Sequence, residues 1–321
     1  MIYEIYHETK FEYQSLVTFS HNIARLKPKT DNIQTLLEYS LDISPTPYET
    51  SEFTDFFENV NNFMLIRESH QTLSVTAKSK VQINVEEINR INNEAKNSTI
   101  SVKEALERFK TFNKEDVNAK QFLFETSSIP TASKEIKEYI LNSFQDNRTL
   151  FDASYEFMTR IFQDFKFVSG FSDVTTPIEE IFKEKKGVCQ DFAQFAISAL
   201  RTIGIPARYV SGYIQTLPAE GEKKLFGADA SHAWFSIYIP DLGWIDFDPT
   251  NNKIPNEEYI KLGYGRDYLD IAPLKGVVQS SGNSILSVKV NVERINTLVP
   301  EIIKETSQTQ SQSQSQSQSQ L

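Results

Sequence analysis

The sequence predicts an α+β fold that begins with an antiparallel β-sandwich. Residues 1–85 are rich in β-forming side chains with partial period-two alternation, the middle of the chain has apolar residues at helical spacing, and strand-like runs return after residue 207. The chain has 321 residues, of which 39% are hydrophobic. It is therefore long enough for two domains and apolar enough for a sizeable core.

Residues 1–85 are predicted to form the β-rich N-terminal domain. Strand patterns cover residues 2–13, 34–44, 53–66 and 71–85, and the third of these contains a turn signal around residues 58–62. Several strands with turn signals and no long helix between them are typical of a β-sandwich.

Residues 86–145 are predicted to be a helical connector. This segment is rich in Glu, Lys and Asn, with helical spacing at 101–112 and 133–144, and Ser101-Val-Lys-Glu is typical of a capping box. Residues 146–305 are predicted to form the second domain, including a late strand at 283–295. The Ser/Gln-rich residues 306–321 are predicted to be a disordered tail, because they have almost no apolar residue to bury.

Within the second domain, helices are predicted at 151–165 and 176–184, the latter with Thr176 as N-cap and Pro177 in the first turn. A further helix is expected to begin near Cys189 and to end at Gly204, which is a plausible C-cap. Strands are predicted at 207–214, 233–239 and 243–247. Residues 217–231 are predicted to be an exposed loop, since they contain Gly, Pro and mixed charge.

Composition excludes several classes of function. The net charge of −10 argues against nucleic acid and against an anionic membrane surface as partners. One cysteine cannot form an intramolecular disulfide, and the sequence has neither a signal-peptide pattern nor the roughly 18 consecutive apolar residues of a membrane span. A cytoplasmic protein is therefore predicted, with its oligomeric state open.

The residues most indicative of chemistry are Cys189, His232 and Asp248. Cys189 is the only cysteine, and His232 is the only histidine after residue 70. A thiol attacks carbonyl groups as a thiolate, so it needs a base to accept its proton and an acid to orient that base. His232 and Asp248 lie on two predicted strands joined by a short turn, which would place them side by side. The backbone N–H of Cys189, at a helix start, is a candidate oxyanion donor.

Other interpretations of the same residues remain open at this level. Cys189 could be a small buried hydrophobe, and His232 a satisfied core or surface residue. A zinc site is disfavoured because the closely spaced ligand pairs of most zinc sites are missing. Asp246 competes with Asp248 for the orienting role, since strand alternation places both on one face. Trp234 and Trp244 are predicted to lie in the core rather than to stack on a substrate.

Taken together, the motifs resemble the transglutaminase-like core. The resemblance rests on Gly187-Val-Cys-Gln-Asp-Phe-Ala, Leu200-Arg-Thr-Ile-Gly-Ile-Pro-Ala-Arg-Tyr, Ser231-His-Ala-Trp-Phe and Gly243-Trp-Ile-Asp-Phe-Asp-Pro-Thr. Residues 1–80 also resemble the β-rich region that precedes this core in many bacterial members.

The resemblance implies a papain-like core in which helices pack on an antiparallel sheet. It also implies that Cys189 is the nucleophile, His232 the base and Asp248 the orienting acid. Phe167 stands where bacterial relatives often carry an aromatic residue with a hydroxyl, so a second oxyanion donor from this position is not expected. Gln190 is only a weak substitute for this second oxyanion donor.

The leading functional prediction is a cysteine acyl-transfer enzyme that hydrolyses amide, peptide or isopeptide bonds of a protein or peptide substrate through a thioester. One alternative is a true protein-glutamine transglutaminase that forms amide cross-links. Another is a non-catalytic peptide-binding module. No cofactor is predicted, because the sequence lacks a calcium loop of the EF-hand type.

Overall fold

The computed structural model describes residues 1–111, 116–216 and 231–295. Six strands occupy the N-terminal part of the chain, and their number and positions confirm that this region is rich in β-structure. They are β1 (Ile2–Val17), β2 (Phe19–Ala24), β3 (Gln34–Ser44), β4 (Glu49–Thr54), β5 (Val60–Ile66) and β6 (His70–Ile83).

Eight helices and eight further strands follow among the described residues. The helices are α1 (Val85–Lys96), α2 (Val102–Lys110), α3 (Val117–Lys120), α4 (Lys134–Leu141), α5 (Leu150–Asp164), α6 (Ile178–Glu184), α7 (Cys189–Thr202) and α8 (Tyr268–Ile271), with a 3-10 turn at Gln121–Leu123. The strands are β7 (Lys166–Phe167), β8 (Lys186–Gly187), β9 (Ala207–Ile214), β10 (Ser231–Ile239), β11 (Gly243–Phe247), β12 (Tyr259–Gly265), β13 (Leu274–Gln279) and β14 (Ser284–Ile295).

The N-terminal domain consists of two four-stranded antiparallel sheets, in the orders β14-β1-β6-β3 and β13-β2-β5-β4. Apolar side chains from both sheets share one core, as expected for two packed sheets. The C-terminal strand was predicted to belong to the second domain, and this assignment is wrong. β14 pairs along β1 because its inward-facing Val290 and Val292 are buried in the sandwich core.

The second domain is built on a four-stranded antiparallel sheet in the order β11-β10-β9-β12. Helix α7 packs against β9 and β10 and is buried along most of its length. Residues of α2, α4 and α5 join the same hydrophobic core. The segment 86–145 was predicted to be a connector. Much of it instead contributes to the core of the second domain, because the apolar faces of its helices bury Val102, Phe109 and Ile136.

The N-terminal domain covers the outer edge of the second domain's sheet. Edge strand β12 offers unpaired backbone groups, and two side-chain amides from the N-terminal domain satisfy them. Gln34 donates to the carbonyl of Lys261 at 2.8 Å and accepts from its N–H at 2.8 Å. Asn59 does the same with Tyr264, at 2.8 and 3.1 Å. Edge groups capped in this way are no longer free to pair with another chain.

Helix ends follow the sequence signals in most cases. Ser101, Ser133 and Thr149 are N-caps whose hydroxyls accept backbone N–H bonds. Thr176 was predicted to cap α6, and this is wrong. The N-cap is Pro177, because the Thr176 hydroxyl accepts instead from the N–H of Asp173 in the preceding turn.

Two predictions fall wholly or largely on residues outside the described ranges. The exposed loop at 217–231 is described only at Ser231, and the tail at 306–321 is not described. In the part of the chain that the structure describes, no helix is both long enough and apolar enough to cross a membrane.

Candidate active site

Cys189 is the first residue of α7, as the sequence predicts. Two strands position it: β8 ends at Gly187 and pairs in parallel with β7. The turn into the helix is held by the carboxylate of Asp191, which accepts the N–H of Val188 at 2.7 Å and also the hydroxyl of Ser172. The Cys189 side chain is half-buried and forms no disulfide. Its position at a helix N-terminus places the sulfur near the positive end of the helix dipole.

Gly187 allows the chain to approach α7 closely. A Cβ at this position would lie 2.9 Å from the carboxylate of Asp191 and 3.2 Å from the ring of Phe192. Any larger residue would therefore push the strand away from the helix and displace Cys189.

His232 lies at the start of β10 and is 8% exposed. The β10–β11 hairpin brings it to Asp248, which follows β11 directly. The Nε2–H of His232 donates to Oδ2 of Asp248 at 2.7 Å. His232 also hydrogen-bonds to the side chain of Cys189. The structure thus brings together the three residues that the sequence singles out.

The charge state of His232 follows from these neighbours. Burial acts to lower its pKa, but hydrogen bonding to Asp248 and to Cys189 outweighs burial and raises the pKa from 6.5 to about 10. His232 is therefore imidazolium at neutral pH.

Asp248 is completely buried and accepts several hydrogen bonds. Besides His232, its donors are the Tyr259 hydroxyl at 2.7 Å, the Asn251 amide at 2.7 Å and the backbone N–H of Thr250 at 2.9 Å. Burial acts to raise the pKa of Asp248, but these donors and the charge of His232 hold it below its usual value. The carboxylate therefore stays ionised beside the imidazolium.

Asp246, the competing carboxylate, has a different partner. It forms an ion pair with Lys261 at 2.8 Å, whereas the carboxylate that His232 bonds is that of Asp248. Within the described residues, no group of three or more His, Cys, Asp or Glu side chains is arranged to hold a metal ion.

Sequence reasoning missed Tyr259 and Asn251, both of which hold Asp248. Asn251 follows Asp248 in the Pro-Thr-Asn turn, so its closeness in sequence was a usable signal. Tyr259 comes from β12 and reaches Asp248 only because β12 folds back along β9, on the far side from β10 and β11. No local pattern reports such a contact.

Two residues bear on the oxyanion that acyl transfer generates. Phe167 pairs with Gly187, two residues before the nucleophile, and its side chain is 53% exposed. Its ring has no donor to offer. The N–H of Cys189 belongs to the first turn of α7, whose N–H groups have no carbonyl partner within the helix. Gln190 follows it in the same turn and is half-buried.

Two regions of the chain are similar to known protein families. Residues 3–82 match the family model of the bacterial transglutaminase-like N-terminal region, and residues 137–249 match that of the transglutaminase-like superfamily. A protein of Mycobacterium tuberculosis with no assigned function is 32% identical over 298 residues, which cover 90% of this chain and 92% of that protein.

Of two further proteins, one is similar to this chain over nearly its whole length and the other over a short segment. The crystal structure of a candidate cysteine protease from Cytophaga hutchinsonii has a TM-score of 0.71 at 20% identity, with 92% of this chain and 91% of that chain covered. A protein-glutamine gamma-glutamyltransferase of Pseudomonas aeruginosa is 34% identical over 99 residues, which are 29% of this chain and 15% of that protein. The chain belongs to the transglutaminase-like superfamily, as a member that carries the bacterial N-terminal region.

Proposed function

We propose that the protein is a cysteine acyl-transfer enzyme that hydrolyses an amide, peptide or isopeptide bond of a protein or peptide substrate. The observation that carries the proposal is the buried His232–Asp248 pair beside the only thiol of the chain, which stands at a helix N-terminus. A structural cysteine needs none of these neighbours, whereas a nucleophilic cysteine needs all of them.

In the acylation step, the Cys189 thiolate attacks the carbonyl carbon and forms a C–S bond. The carbonyl oxygen becomes an oxyanion, toward which the N–H of Cys189 can donate. The tetrahedral intermediate collapses as the C–N bond breaks. His232, which is imidazolium at neutral pH, gives its proton to the leaving amine, and a thioester remains on Cys189.

In the deacylation step, neutral His232 takes a proton from water as the water oxygen attacks the thioester carbonyl. The C–S bond breaks, the carboxylic acid leaves, and the thiolate–imidazolium pair is restored. Asp248 keeps the ring oriented through both steps, because its bond to Nε2 fixes the ring and leaves the other nitrogen for proton transfer. Each step balances in protons without any other co-reactant.

A second candidate is transamidation, in which a primary amine replaces water as the attacking group. It is favoured by the local similarity to a protein-glutamine gamma-glutamyltransferase. The two activities share the acylation step and differ only in the second nucleophile. Whether amine competes with water depends on how well the site excludes water.

The test is a turnover assay with matched variants. Purified protein is incubated with a library of fluorogenic peptide amides and, separately, with dimethylcasein plus monodansylcadaverine. We expect amide release that disappears in Cys189→Ala and falls at least a hundredfold in His232→Ala. Dansyl incorporation without release would favour transamidation. Full activity in Cys189→Ala would refute both candidates.

Alkylation of the single thiol provides a readout that needs no substrate. We expect iodoacetamide to modify Cys189 faster at pH 6 in the wild-type protein than in His232→Ala, because the imidazolium stabilises the thiolate. His21→Ala is the matched control, since His21 lies in the N-terminal domain on β2. Equal rates in all three proteins would contradict the proposed ion pair.

A further inference from the structure

One edge of the N-terminal sandwich carries no charged side chain. β13 and β14 are end strands of the two sheets, and only residues 280–283 separate them, so they lie on the same side of the sandwich. Residues 276–288, here called the open edge, contain no Asp, Glu, Lys or Arg. The opposite edge is acidic: β3 carries Glu38 and Asp42, and β4 carries Glu49 and Glu52. Charged side chains on an edge strand oppose pairing with another chain, so the sandwich is protected at one edge only.

Apolar side chains that face into the sandwich are half-exposed along the open edge. Leu286 and Val288 lie on the same face of β14 as Val290, which is buried in the core, yet they are 55% and 45% exposed. Val278 of β13 lies opposite the buried Ser20 of β2 and is also exposed. Single exposed apolar side chains are common, but a cluster of them is typical of an interaction surface.

The backbone of β14 also has groups that point away from the sheet at this edge. In an antiparallel pair, successive residues alternate between bonding to the partner strand and pointing outward. The N–H of Gln14 donates to the carbonyl of Asn283 at 3.0 Å, and the pairing continues in one register along β14. Ile285 and Ser287 therefore bond to β1, whereas the N–H and C=O groups of Leu286 and Val288 point outward. In the part of the chain that the structure describes, no strand lies beyond β14 in this sheet.

We propose that the open edge is the interface of a dimer, in which β14 pairs antiparallel with β14 of a second copy of this chain. A two-fold axis at Ser287 would place Leu286 of one copy opposite Val288 of the other. Outward backbone groups then meet outward backbone groups, and the apolar side chains of this pair pack on the inner face of a continuous sheet. A contact of this symmetric kind closes after two copies, so it gives a dimer and not a fibre.

The distribution of charge favours a second copy at this surface over one at any other edge of the sandwich. Each chain has a net charge of −10, which opposes association of two copies. The open edge avoids this repulsion, since the nearest charge on β14, Lys289, is paired with Glu8 of β1 at 3.5 Å.

The position of the open edge also argues against the chain's own continuation as its occupant. The chain leaves the sheet after Ile295, nine residues beyond Leu286, which is about 30 Å away along an extended strand. A second copy, in contrast, brings a strand with the same apolar pattern and the same outward backbone groups directly to this edge.

Light scattering of the full chain at roughly 0.1 mM, where a dimer with a micromolar Kd is populated, tests the proposal. We expect twice the mass of one chain. Leu286→Lys places like charges on both sides of the two-fold axis and should weaken the dimer at least tenfold. Leu37→Lys, at an exposed position of the opposite edge strand β3, is the matched control and should leave the mass unchanged. A monomeric wild type, an assembly of more than two chains, or a dimer that persists in a folded Leu286→Lys protein would overturn the proposal.

A cross-link tests the position of the axis. In a Cys189→Ala background, Ser287→Cys leaves one thiol per chain, and two facing residues of an antiparallel pair are about 4.5–5.5 Å apart at Cα, within the range of a disulfide. Mild oxidation in air should therefore give a covalent dimer. Ser51→Cys in the same background, exposed on the opposite edge strand β4, should remain monomeric. Equal cross-linking of the two variants, or none in Ser287→Cys, would refute this interface. Both variants lack the nucleophile, so the result is independent of the proposed enzymatic activity.

Discussion

Among single residues, Tyr259 shows how the candidate site holds its carboxylate. Its hydroxyl donates to Oδ2 of Asp248, the same oxygen that accepts from His232. Tyr259→Phe should therefore raise the pKa of Asp248, so that the carboxylate protonates earlier as the pH falls. Losing a bond worth about 1.5 kcal/mol to the charged form corresponds to a rise of about one pH unit. We expect the acid limb of the Cys189 alkylation profile to move up by that amount.

The control for this substitution is Tyr48→Phe. Tyr48 is 66% exposed and lies in the N-terminal domain, where its ring contacts Arg67. Removing the Tyr48 hydroxyl should leave the pH profile of Cys189 alkylation unchanged. An unshifted acid limb in Tyr259→Phe would mean that Asp248 is held sufficiently by Asn251 and the backbone, and the positioning role of Tyr259 would be disproved.

The sequence could predict those site residues whose type is rare in the chain and whose partners lie close to them in sequence. Cys189 stood out as the only cysteine, and His232 and Asp248 lie on one predicted hairpin. The choice between Asp246 and Asp248 could not be derived from alternation, because it depends on Lys261. Lys261 comes from β12, and no local pattern specifies where that strand lies.

The start of α7 is the element on which the nucleophile depends. Asp191 closes this turn by accepting the Val188 N–H and the Ser172 hydroxyl. Asp191→Ala should lower the free energy of unfolding by about 1–3 kcal/mol, since it leaves buried donors without an acceptor. Asp191→Asn should lower the free energy of unfolding by less than half as much. Its amide oxygen still accepts from the Val188 N–H, and the amide has no charge to bury.

Urea unfolding followed by circular dichroism measures this difference. Burial raises the pKa of Asp191 in spite of its two hydrogen bonds, so the charge of this carboxylate is costly to bury. Equal losses in the alanine and asparagine variants would show that the charge, and not the acceptor, stabilises the turn.

Helices and strands were predicted correctly where the signal for them lies within the segment itself. The helix at Cys189 and the strands at 207–214 and 243–247 agree with the structure. The pairing of β14 with β1 was not predicted, because the two strands lie at opposite ends of the described chain. Alternation shows that a segment is a strand and which face it buries, but not which sheet it joins.

For the whole molecule, the pairing of β14 with β1 means that the N-terminal domain includes strands from the far end of the described chain. β13 and β14 complete the two sheets of the N-terminal domain, and Gln34 and Asn59 cap the edge of the second domain's sheet. A fragment of residues 86–295 should therefore lack a cooperative thermal transition, because β13 and β14 lose the strands they pair with and β12 loses its side-chain caps. The protein ending at residue 305, which keeps both sheets of the N-terminal domain, should unfold cooperatively. A cooperative transition in the 86–295 fragment would show that the second domain folds alone.

The contact between the two domains also predicts how stability depends on pH. His7 on β1 is buried, with Nδ1 2.9 Å from the hydroxyl of Tyr213 on β9 and Nε2 2.9 Å from the hydroxyl of Thr9. Burial lowers the pKa of His7 from 6.5 to about 4. Among the described residues no carboxylate bonds to this ring, so a proton on it would be a buried charge between the domains.

The sign of the effect follows from proton linkage. Between pH 6.5 and 4 the unfolded chain binds a proton at His7 and the folded protein does not, so stability falls as the pH is lowered through this window. The shift corresponds to a loss of about 3 kcal/mol of stability from this residue.

We expect urea unfolding of His7→Gln to show a shallower decline of stability from pH 6.5 to 4 than the wild type, whatever its stability at pH 7. His21→Gln, which removes a histidine of the same domain on β2, is the matched control. Parallel declines in wild type and His7→Gln would mean that His7 accepts its proton without loss of the folded state, and the domain contact would then not be the acid-sensitive part of the molecule.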